Sequence, residues 1–395
     1  MKEQRVFSLY KKFVIPCYKQ YPLVIARGKG VKVWDIKGKK YLDFFPGWAV
    51  SGLGHCPPKV MAAIRKQSQI ILHIPNNYYN QLQGELAKKL SMISFGGKCF
   101  FCNSGAEANE AAIKLARLYG KNENQHEIIS MENSFHGRSL ATLTLTGQKK
   151  VKKGFSPLPG GFKIVPFNDI KSIQNAITKK TVAIFLELIQ GEGGINVAKK
   201  DYLLSLRKLC DQKKILLIFD EVQTGMGRTG EFFCYQNFGI LPDIITLAKT
   251  LGGGFPIGAL IAKNKIADLM GPGTHASTFG GSPLACSAAL AVIETIEKEH
   301  LLENVKRMGE YLRKKLEDLK KKYSFIKEIR GLGLMLGLEL KISGQGIVEK
   351  ALKNGLLINC TQEKILRIMP PLTVSKKEID TAIAILDKSI RNEIF

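Results

Sequence analysis

The chain has no long hydrophobic run. Although 45% of its 395 residues are hydrophobic, no apolar stretch approaches the roughly 20 residues that a membrane-spanning helix requires. The first 16 residues, MKEQRVFSLYKKFVIP, mix charged and aromatic side chains and contain no apolar core of the kind found in secretory signals. These absences predict a cytoplasmic protein with no membrane partner.

The cysteines do not form a paired pattern. There are eight of them, and in a long chain without an export signal they are expected to be reduced thiols. Cys99 and Cys102 have CxxC spacing, but they lie in an apolar, strand-like run in which positions three apart point to opposite faces. No second CxxC completes a zinc site, so we predict two small core residues and no metal. His55 and Cys56 precede two prolines and predict a turn rather than a nucleophilic pair.

Acidic residues are scarce relative to basic ones. The chain has 34 Asp and Glu against 59 Lys and Arg, a formal charge of +25, which raises nucleic-acid binding as a hypothesis from another functional class. However, the densest basic cluster, residues 313–322, is interrupted by acids and by spaced leucines, as on the solvated face of an amphipathic helix. We therefore expect no nucleic-acid partner. We attribute the charge to a basic proteome background, with attraction of anionic substrates as a secondary effect.

Short apolar runs alternate with helical patterns through the middle of the chain. Such alternation predicts an α/β fold with a mostly parallel, buried central sheet. The predicted strands cover residues 98–102, 127–130, 181–187, 214–220, 243–248 and 257–262, with a helix from about Glu107 to Tyr119.

The pattern changes after about residue 279. One long helical stretch from Ser282 to about Tyr323, an apolar run over 331–340 and a closing helix near 376–390 predict a smaller α+β unit. We predict three parts. They are an N-terminal segment 1–50 packing with the small domain, a large domain 51–280, and a connecting helix with a small C-terminal domain over 281–395.

Reactive side chains stand at the ends of the predicted strands. Asp220 and Lys249 end two of them, and residues 103–107 and Arg138 follow two others. Ligands gather at the carboxyl ends of such strands, so we expect one shared crevice. A neutral lysine amine condenses with an aldehyde, a helix start binds phosphate, a carboxylate keeps a pyridine nitrogen protonated, and an arginine holds a carboxylate. The set fits an aldehyde cofactor that carries a phosphate.

A series of motifs in order resembles the class III pyridoxal-phosphate-dependent aminotransferases nearly from end to end. Within that family, the FHGR and AKTLGGGFPIGA forms are more similar to acetylornithine aminotransferases than to ornithine aminotransferases. The motifs are RGKGVKVWDIKGKKYLDF, GHCPP, NSGAEANEAAIKLAR, FHGRS, IQGEGG, FDEVQTGMGRTG, PDIITLAKTLGGGFPIGA, STFGGSPLA and LRIMPPL.

The resemblance implies a fold of the pyridoxal-phosphate-dependent transferase type I and a reaction. The terminal amino group of N2-acetylornithine would pass to 2-oxoglutarate, giving N-acetylglutamate 5-semialdehyde and glutamate in arginine biosynthesis. Lys249 would be the Schiff-base lysine and would shuttle the proton. Asp220 would pair with the pyridinium nitrogen, Gln223 would bond the ring hydroxyl, and Phe135 would stack on the ring.

The resemblance also implies how the phosphate and the substrates are held. Gly105 and Ala106 would bind the phosphate through their backbone, at the helix start that Ser104 opens. Thr278 would reach the phosphate bound in the other subunit, which implies a homodimer with shared sites. The substrate-binding residues would be Arg138 for the distal carboxylate, Arg367 for the α-carboxylate of glutamate, and Glu192, which would pair with Arg367 when the other substrate is bound.

Several features keep alternatives open. Residues 225–230 match GxGxxG, as in a dinucleotide-binding dehydrogenase. However, the first glycine follows the strand-ending Asp220 by five residues, and no acid stands about 20 residues on, so we predict a turn.

Two positions depart from the family pattern. Leu188 replaces a proline common in the family, which predicts a change in loop stiffness. Trp48 is bulkier than expected: it either lines the pocket, which puts the amino donor in doubt, or packs against the domain seam. The motifs barely separate the alternative donors, which are ornithine, succinyldiaminopimelate, 4-aminobutyrate and a carrier-linked lysine. The complete set of site residues argues against an inactive relative.

Overall fold

The computed structural model describes residues 3–394. Seventeen strands and thirteen α-helices alternate along this part of the chain, with the strands short and mostly buried. The strands are β1 (Ile25–Lys29), β2 (Lys32–Asp35), β3 (Lys40–Asp43), β4 (Lys98–Cys102), β5 (Glu127–Met131), β6 (Phe162–Val165), β7 (Thr181–Leu186), β8 (Ile189–Gln190), β9 (Asn196–Val197), β10 (Leu216–Asp220), β11 (Ile244–Leu247), β12 (Gly258–Ala262), β13 (Ile326–Leu332), β14 (Met335–Leu340), β15 (Leu356–Leu357), β16 (Asn359–Thr361) and β17 (Ile365–Ile368).

The helices cover the sheets on their outer faces. Short 3-10 turns at Lys121–Glu123, Cys234–Asn237 and Lys249–Gly252 add to them. The α-helices are α1 (Glu3–Phe13), α2 (Pro58–Ser68), α3 (Gln81–Ile93), α4 (Gly105–Tyr119), α5 (Leu140–Leu145), α6 (Lys149–Lys152), α7 (Ile170–Ala176), α8 (Lys200–Lys213), α9 (Asn264–Ala267), α10 (Pro283–Lys298), α11 (Leu301–Lys322), α12 (Gln345–Asn354) and α13 (Lys376–Ile394).

A seven-stranded sheet forms the centre of the molecule. Its order is β4-β12-β11-β10-β7-β5-β6, and β12 alone runs antiparallel to its neighbours β11 and β4. Every residue of β7, β10, β11 and β12 is buried, and nearly all of these residues are apolar, as is typical of a parallel sheet with helices on both faces. The prediction of a mostly parallel central sheet is confirmed.

Two four-stranded sheets lie outside the central one, together with a two-stranded sheet in which β8 pairs with β9. The first is antiparallel, in the order β13-β14-β17-β16. The second joins the two ends of the chain, because β15 pairs in parallel with β3, with Leu356 opposite Leu42. The N-terminal strands therefore share a sheet with a strand from the C-terminal part.

The long helical stretch predicted from Ser282 to Tyr323 is wrong in one respect. The structure divides it into α10 and α11, and His300 between them has a left-handed backbone with φ of 49°. An α-helix cannot continue through a left-handed residue, so the chain changes direction there. Each half buries its own apolar face.

Two other motifs have the structure that their sequence context predicted. Residues 225–230 form successive turns and do not open a helix, which confirms the prediction of a turn. Burial raises the pKa of both Cys99 and Cys102 to about 12.

Within residues 3–394, no group of three or more His, Cys, Asp or Glu side chains is placed to hold a metal ion. No helix of the described chain is long and apolar enough to cross a membrane.

Candidate active site

A cavity of about 440 Å³ opens at the carboxyl edge of the central sheet. It lies where β10 and β11 end and where α4 begins, so residues far apart in the chain meet there. Of the residues predicted for the site, those that line the cavity are Ser104, Gly105, Ala106, Phe135, Arg138, Glu192, Asp220, Gln223 and Lys249.

Lys249 lies in the cavity wall, two residues after β11 ends. Its backbone is left-handed, with φ of 50°, a conformation that costs an ordinary residue about 1–2 kcal/mol. Removal of the amine from water lowers its pKa, although the nearby carboxylates of Glu192 and Asp220 act in the opposite direction. A lowered pKa increases the neutral, nucleophilic fraction of the amine.

Three hydrogen bonds hold the carboxylate of Asp220. Its Oδ2 accepts from Asn109 Nδ2 at 2.9 Å and lies 2.8 Å from His136 Nδ1, and its Oδ1 accepts from the Val222 amide at 3.0 Å. Asp220, Asn109 and His136 are all buried. The carboxylate therefore has a fixed orientation at the end of β10, as the partner of a cationic ring nitrogen requires.

The residues at which α4 begins, Ser104, Gly105 and Ala106, line the cavity. Ser104 caps the helix, and its Oγ accepts from the Glu107 amide at 3.2 Å. Backbone amides in the first turn of an α-helix have no carbonyl acceptor within the helix. The amides of Gly105 and Ala106 are in this position, so they are available to bind a phosphate. A Cβ on Gly105 would lie 2.7 Å from Val222 Cγ1, and the missing side chain allows the close approach.

Gln223 leaves an unpaired acceptor at the cavity. Its Nε2 donates to the Trp48 carbonyl at 3.4 Å, whereas its buried Oε1 has no partner among the described residues. An orphaned acceptor of this kind favours a hydroxyl donor on a bound ring. Together with the amine of Lys249, the carboxylate of Asp220 and the start of α4, it fits a phosphorylated pyridine aldehyde.

Arg138 and Phe135 lie together at the cavity. The Arg138 guanidinium stands over the Phe135 ring, 5.5 Å from its centroid, and Arg138 is exposed toward solvent. An exposed cation at the cavity is free to bind an incoming carboxylate.

Arg367 is buried and pairs with Glu192. The two oxygens of Glu192 accept from Nη1 and Nη2 of Arg367 at 2.6 and 3.1 Å. Although burial raises the pKa of Glu192, the charge and hydrogen bonds of Arg367 lower it overall. The pair is therefore ionised, and Glu192 faces the cavity between Arg367 and Lys249.

Three residues named in the sequence analysis, Arg367, Thr278 and Trp48, do not line the cavity. Thr278 is exposed and does not line it. Trp48 keeps 49% of its surface exposed and packs edge-on against Phe45, whereas Val50 lines the cavity. The bulk of the Trp48 side chain is thus outside the cavity of this chain.

Sequence reasoning missed several buried polar residues around the site. Glu187 lines the cavity and accepts hydrogen bonds from the amides of Phe135 at 2.9 Å and Gly191 at 3.0 Å. Burial, together with the charge of Asp220, raises the pKa of Glu187 to about 8. Asn109 and His136 were missed as well, although both belong to quoted motifs; Asn109 stands one helical turn after Gly105, a spacing that indicates the same face.

Comparison with known proteins gives consistent matches over the whole chain. The profile of the family "Aminotransferase class-III" matches residues 14–390. A curated acetylornithine aminotransferase of Methanocaldococcus jannaschii is 54% identical over 391 residues, which cover 98% of each chain.

Solved structures match as completely. An ornithine aminotransferase from Toxoplasma gondii, described with partial occupancy of pyridoxal phosphate at its active site, superposes with a TM-score of 0.95 at 32% identity, covering 99% of this chain and 94% of that one. An acetylornithine aminotransferase from Elizabethkingia anophelis has a TM-score of 0.89 at 31% identity, covering 99% and 100%. With these matches and this site, the chain belongs to the class-III aminotransferases, a family of transaminases that depend on pyridoxal phosphate.

Proposed function

We propose that this chain is a cytoplasmic enzyme that transfers the terminal amino group of N2-acetylornithine to 2-oxoglutarate. The products are N-acetylglutamate 5-semialdehyde and glutamate, and the reaction belongs to arginine biosynthesis. The observation that carries the choice of donor is the 54% identity to an acetylornithine aminotransferase over 98% of the chain.

Pyridoxal phosphate, when bound, supplies the aldehyde that takes up the amino group and a ring that stabilises negative charge. Lys249 provides the amine beside that aldehyde and moves the proton of the reacting carbon, for which its lowered pKa suits it. Asp220 keeps the ring nitrogen protonated, and its three hydrogen bonds keep the carboxylate in place. Gln223 accepts from the ring hydroxyl, and Phe135 covers one face of the ring.

The backbone amides of Gly105 and Ala106 bind the phosphate at the start of α4, where Ser104 caps the helix. Arg138 binds the distal carboxylate of the substrate at the mouth of the cavity. Arg367 binds the α-carboxylate of glutamate and of 2-oxoglutarate. Glu192 pairs with Arg367 when N2-acetylornithine is bound, because the reacting end of that donor has no carboxylate to offer.

The assay that tests the donor uses the visible absorbance of the purified, cofactor-loaded enzyme. Addition of N2-acetylornithine without a keto acid is expected to bleach the yellow band, because the amino group stays on the cofactor until an acceptor arrives. Ornithine, succinyldiaminopimelate and 4-aminobutyrate serve as competing donors. A yellow band that persists with N2-acetylornithine and bleaches with one of these would overturn the donor assignment.

We also propose a homodimer in which Thr278 reaches the phosphate held by the partner subunit. Thr278 lies in a loop in which the carbonyls of Ser277 and Gly280 accept hydrogen bonds from Asn76 Nδ2, at 3.1 and 3.0 Å. These bonds hold the loop against the exposed segment that contains Asn76. That surface is apolar: Ile70 is 67% and Phe279 60% exposed. Apolar patches of this kind favour a protein interface.

The dimer has two measurable consequences. Light scattering is expected to give a mass twice the 43.8 kDa of one chain. Thr278→Val, which removes the hydroxyl and keeps the volume, is expected to weaken cofactor binding about 3- to 10-fold, the value of one hydrogen bond. Thr381→Val on the exposed face of α13 is the matched control. A monomeric enzyme that retains its cofactor would refute the shared site.

A further inference from the structure

Every N–H donor of the Arg367 guanidinium has an acceptor. A guanidinium has five such donors. Nε and Nη2 both donate to Asn359 Oδ1, at 2.8 and 2.6 Å, and Nη1 donates to the Gly191 carbonyl at 3.0 Å. The remaining two, one on each Nη, bind the two oxygens of Glu192. Three donors thus go to neutral acceptors, and two form a parallel pair that binds one carboxylate.

The neutral acceptors are fixed by the sheet. Asn359 on β16 is directly opposite Arg367 on β17, so their side chains lie beside each other on one face. On the other side of β17, the residue of β14 opposite Arg367 is Gly337. Gly337 has no room for a side chain, because a Cβ there would lie 2.9 Å from Ile195 Cβ. The ring of Phe45 lies 4.5 Å from the guanidinium carbon and supports it through a cation–π contact.

The backbone at Glu192 is also held. Its carbonyl accepts from Thr361 Oγ1 at 2.7 Å and from Gln362 Nε2 at 3.1 Å. The preceding amide, that of Gly191, donates to Glu187 Oε2 at 3.0 Å. The Glu192 side chain, by contrast, is bound to Arg367 and is only partly buried at the cavity.

We propose that Asn359 is a positioning residue that keeps Arg367 in place when Glu192 leaves it. Rotation of the Glu192 side chain alone then exposes two parallel N–H groups, the arrangement that binds a carboxylate bidentately. The amide of Asn359 holds the guanidinium without cancelling its charge, so the freed Arg367 attracts the α-carboxylate of 2-oxoglutarate or glutamate at full strength. The inference rests on the proposed function, since it assigns Arg367 to the acceptor.

Two variants test this role. Asn359→Asp keeps the oxygen but adds a negative charge that neutralises Arg367, and Asn359→Ala removes the acceptor of two donors. Both are expected to raise the dissociation constant of 2-oxoglutarate at least about tenfold, because a hydrogen bond to a charged group contributes roughly 1.5–3 kcal/mol and 1.4 kcal/mol is tenfold. The donor half-reaction with N2-acetylornithine is expected to change by less than about threefold, because Glu192 stays paired throughout it.

The two half-reactions are measured separately, by the absorbance of the cofactor in single turnovers. The amino form of the enzyme is mixed with 2-oxoglutarate, and the aldehyde form with N2-acetylornithine. Asn264→Asp, on the exposed surface at α9, adds the same charge away from the site and is the control. Circular dichroism and cofactor content confirm that each variant is folded and loaded.

The outcomes separate this inference from the proposed function. A wild-type enzyme that reacts with neither substrate would refute the proposed function. If the wild-type enzyme reacts with both substrates and the variants keep their affinity for 2-oxoglutarate, the role of Asn359 alone is refuted. The same holds if the two half-reactions of the variants are impaired equally. Selective loss of the acceptor half-reaction in both Asn359 variants supports it.

Discussion

Lys249→Ala is expected to lower kcat/KM by more than about 10⁴-fold, since the variant loses both the amine that exchanges with the substrate and the group that moves the proton. No other lysine of residues 3–394 lines the cavity, so no neighbouring amine replaces it. The phosphate site at α4 and the carboxylate of Asp220 remain, and the variant is expected to bind the cofactor without a covalent bond. Steady-state kinetics and cofactor titration measure the two effects.

Lys249→Arg separates charge from proton transfer. A guanidinium keeps the positive charge among Glu192, Asp220 and Glu187, but it stays protonated at any workable pH and cannot act as a base. The arginine variant is therefore expected to be as inactive as the alanine variant. Lys265→Ala, at an exposed lysine of α9, serves as the control. Activity of the arginine variant above about one hundredth of wild type would contradict the role of Lys249 in proton transfer.

Asp220→Asn is expected to lower kcat by about 10²- to 10³-fold, since loss of one partner of a buried ion pair costs roughly 3–5 kcal/mol. The substitution keeps the shape of the side chain but removes the charge that holds the ring nitrogen protonated. The new side-chain NH2 group is also expected to face Asn109 Nδ2 or His136, which lie 2.9 and 2.8 Å from Oδ2 of Asp220, so that two hydrogen-bond donors would meet. Single-turnover absorbance with N2-acetylornithine measures the effect.

The control for Asp220→Asn is Asp268→Asn, which removes a charge from an exposed surface pair with Lys98. Exposed pairs contribute about 0–1 kcal/mol, so this variant is expected to behave as wild type. An Asp220→Asn enzyme within about threefold of wild type would show that the ring nitrogen does not need this carboxylate.

Much of the large sheet follows from local pattern. The runs that end at Asp220 and before Lys249 are nearly continuous in apolar residues and are buried at every position, which is typical of strands covered on both faces. Strand type and order of appearance were therefore predictable. The antiparallel direction of β12 was not, because an apolar strand has the same composition in either direction. The break at His300 was missed for a related reason, since an amphipathic pattern continues on both sides of it.

The site shows the same division. The strand ends and the helix start at Gly105 are readable in the chain, because each requires a residue type at a particular local position. The buried partners of those residues are not: Asn109 and Asp220 are 111 positions apart, and Phe135 and Glu187 are 52 apart. Their side chains are ordinary polar residues until the fold removes water from around them, which is also what raises the pKa of Glu187.

By itself, the amino-acid sequence determined the class of fold and the family, and it predicted Lys249 and Asp220 as the reactive residues, because these depend on local hydrophobic pattern and on motifs of adjacent residues. Only the tertiary structure decided that Asn359 stands opposite Arg367, that the Glu192 side chain pairs with Arg367 at the cavity, and that the Trp48 side chain lies outside the cavity. These relations depend on strand register and on burial, and both are set by contacts between distant parts of the chain.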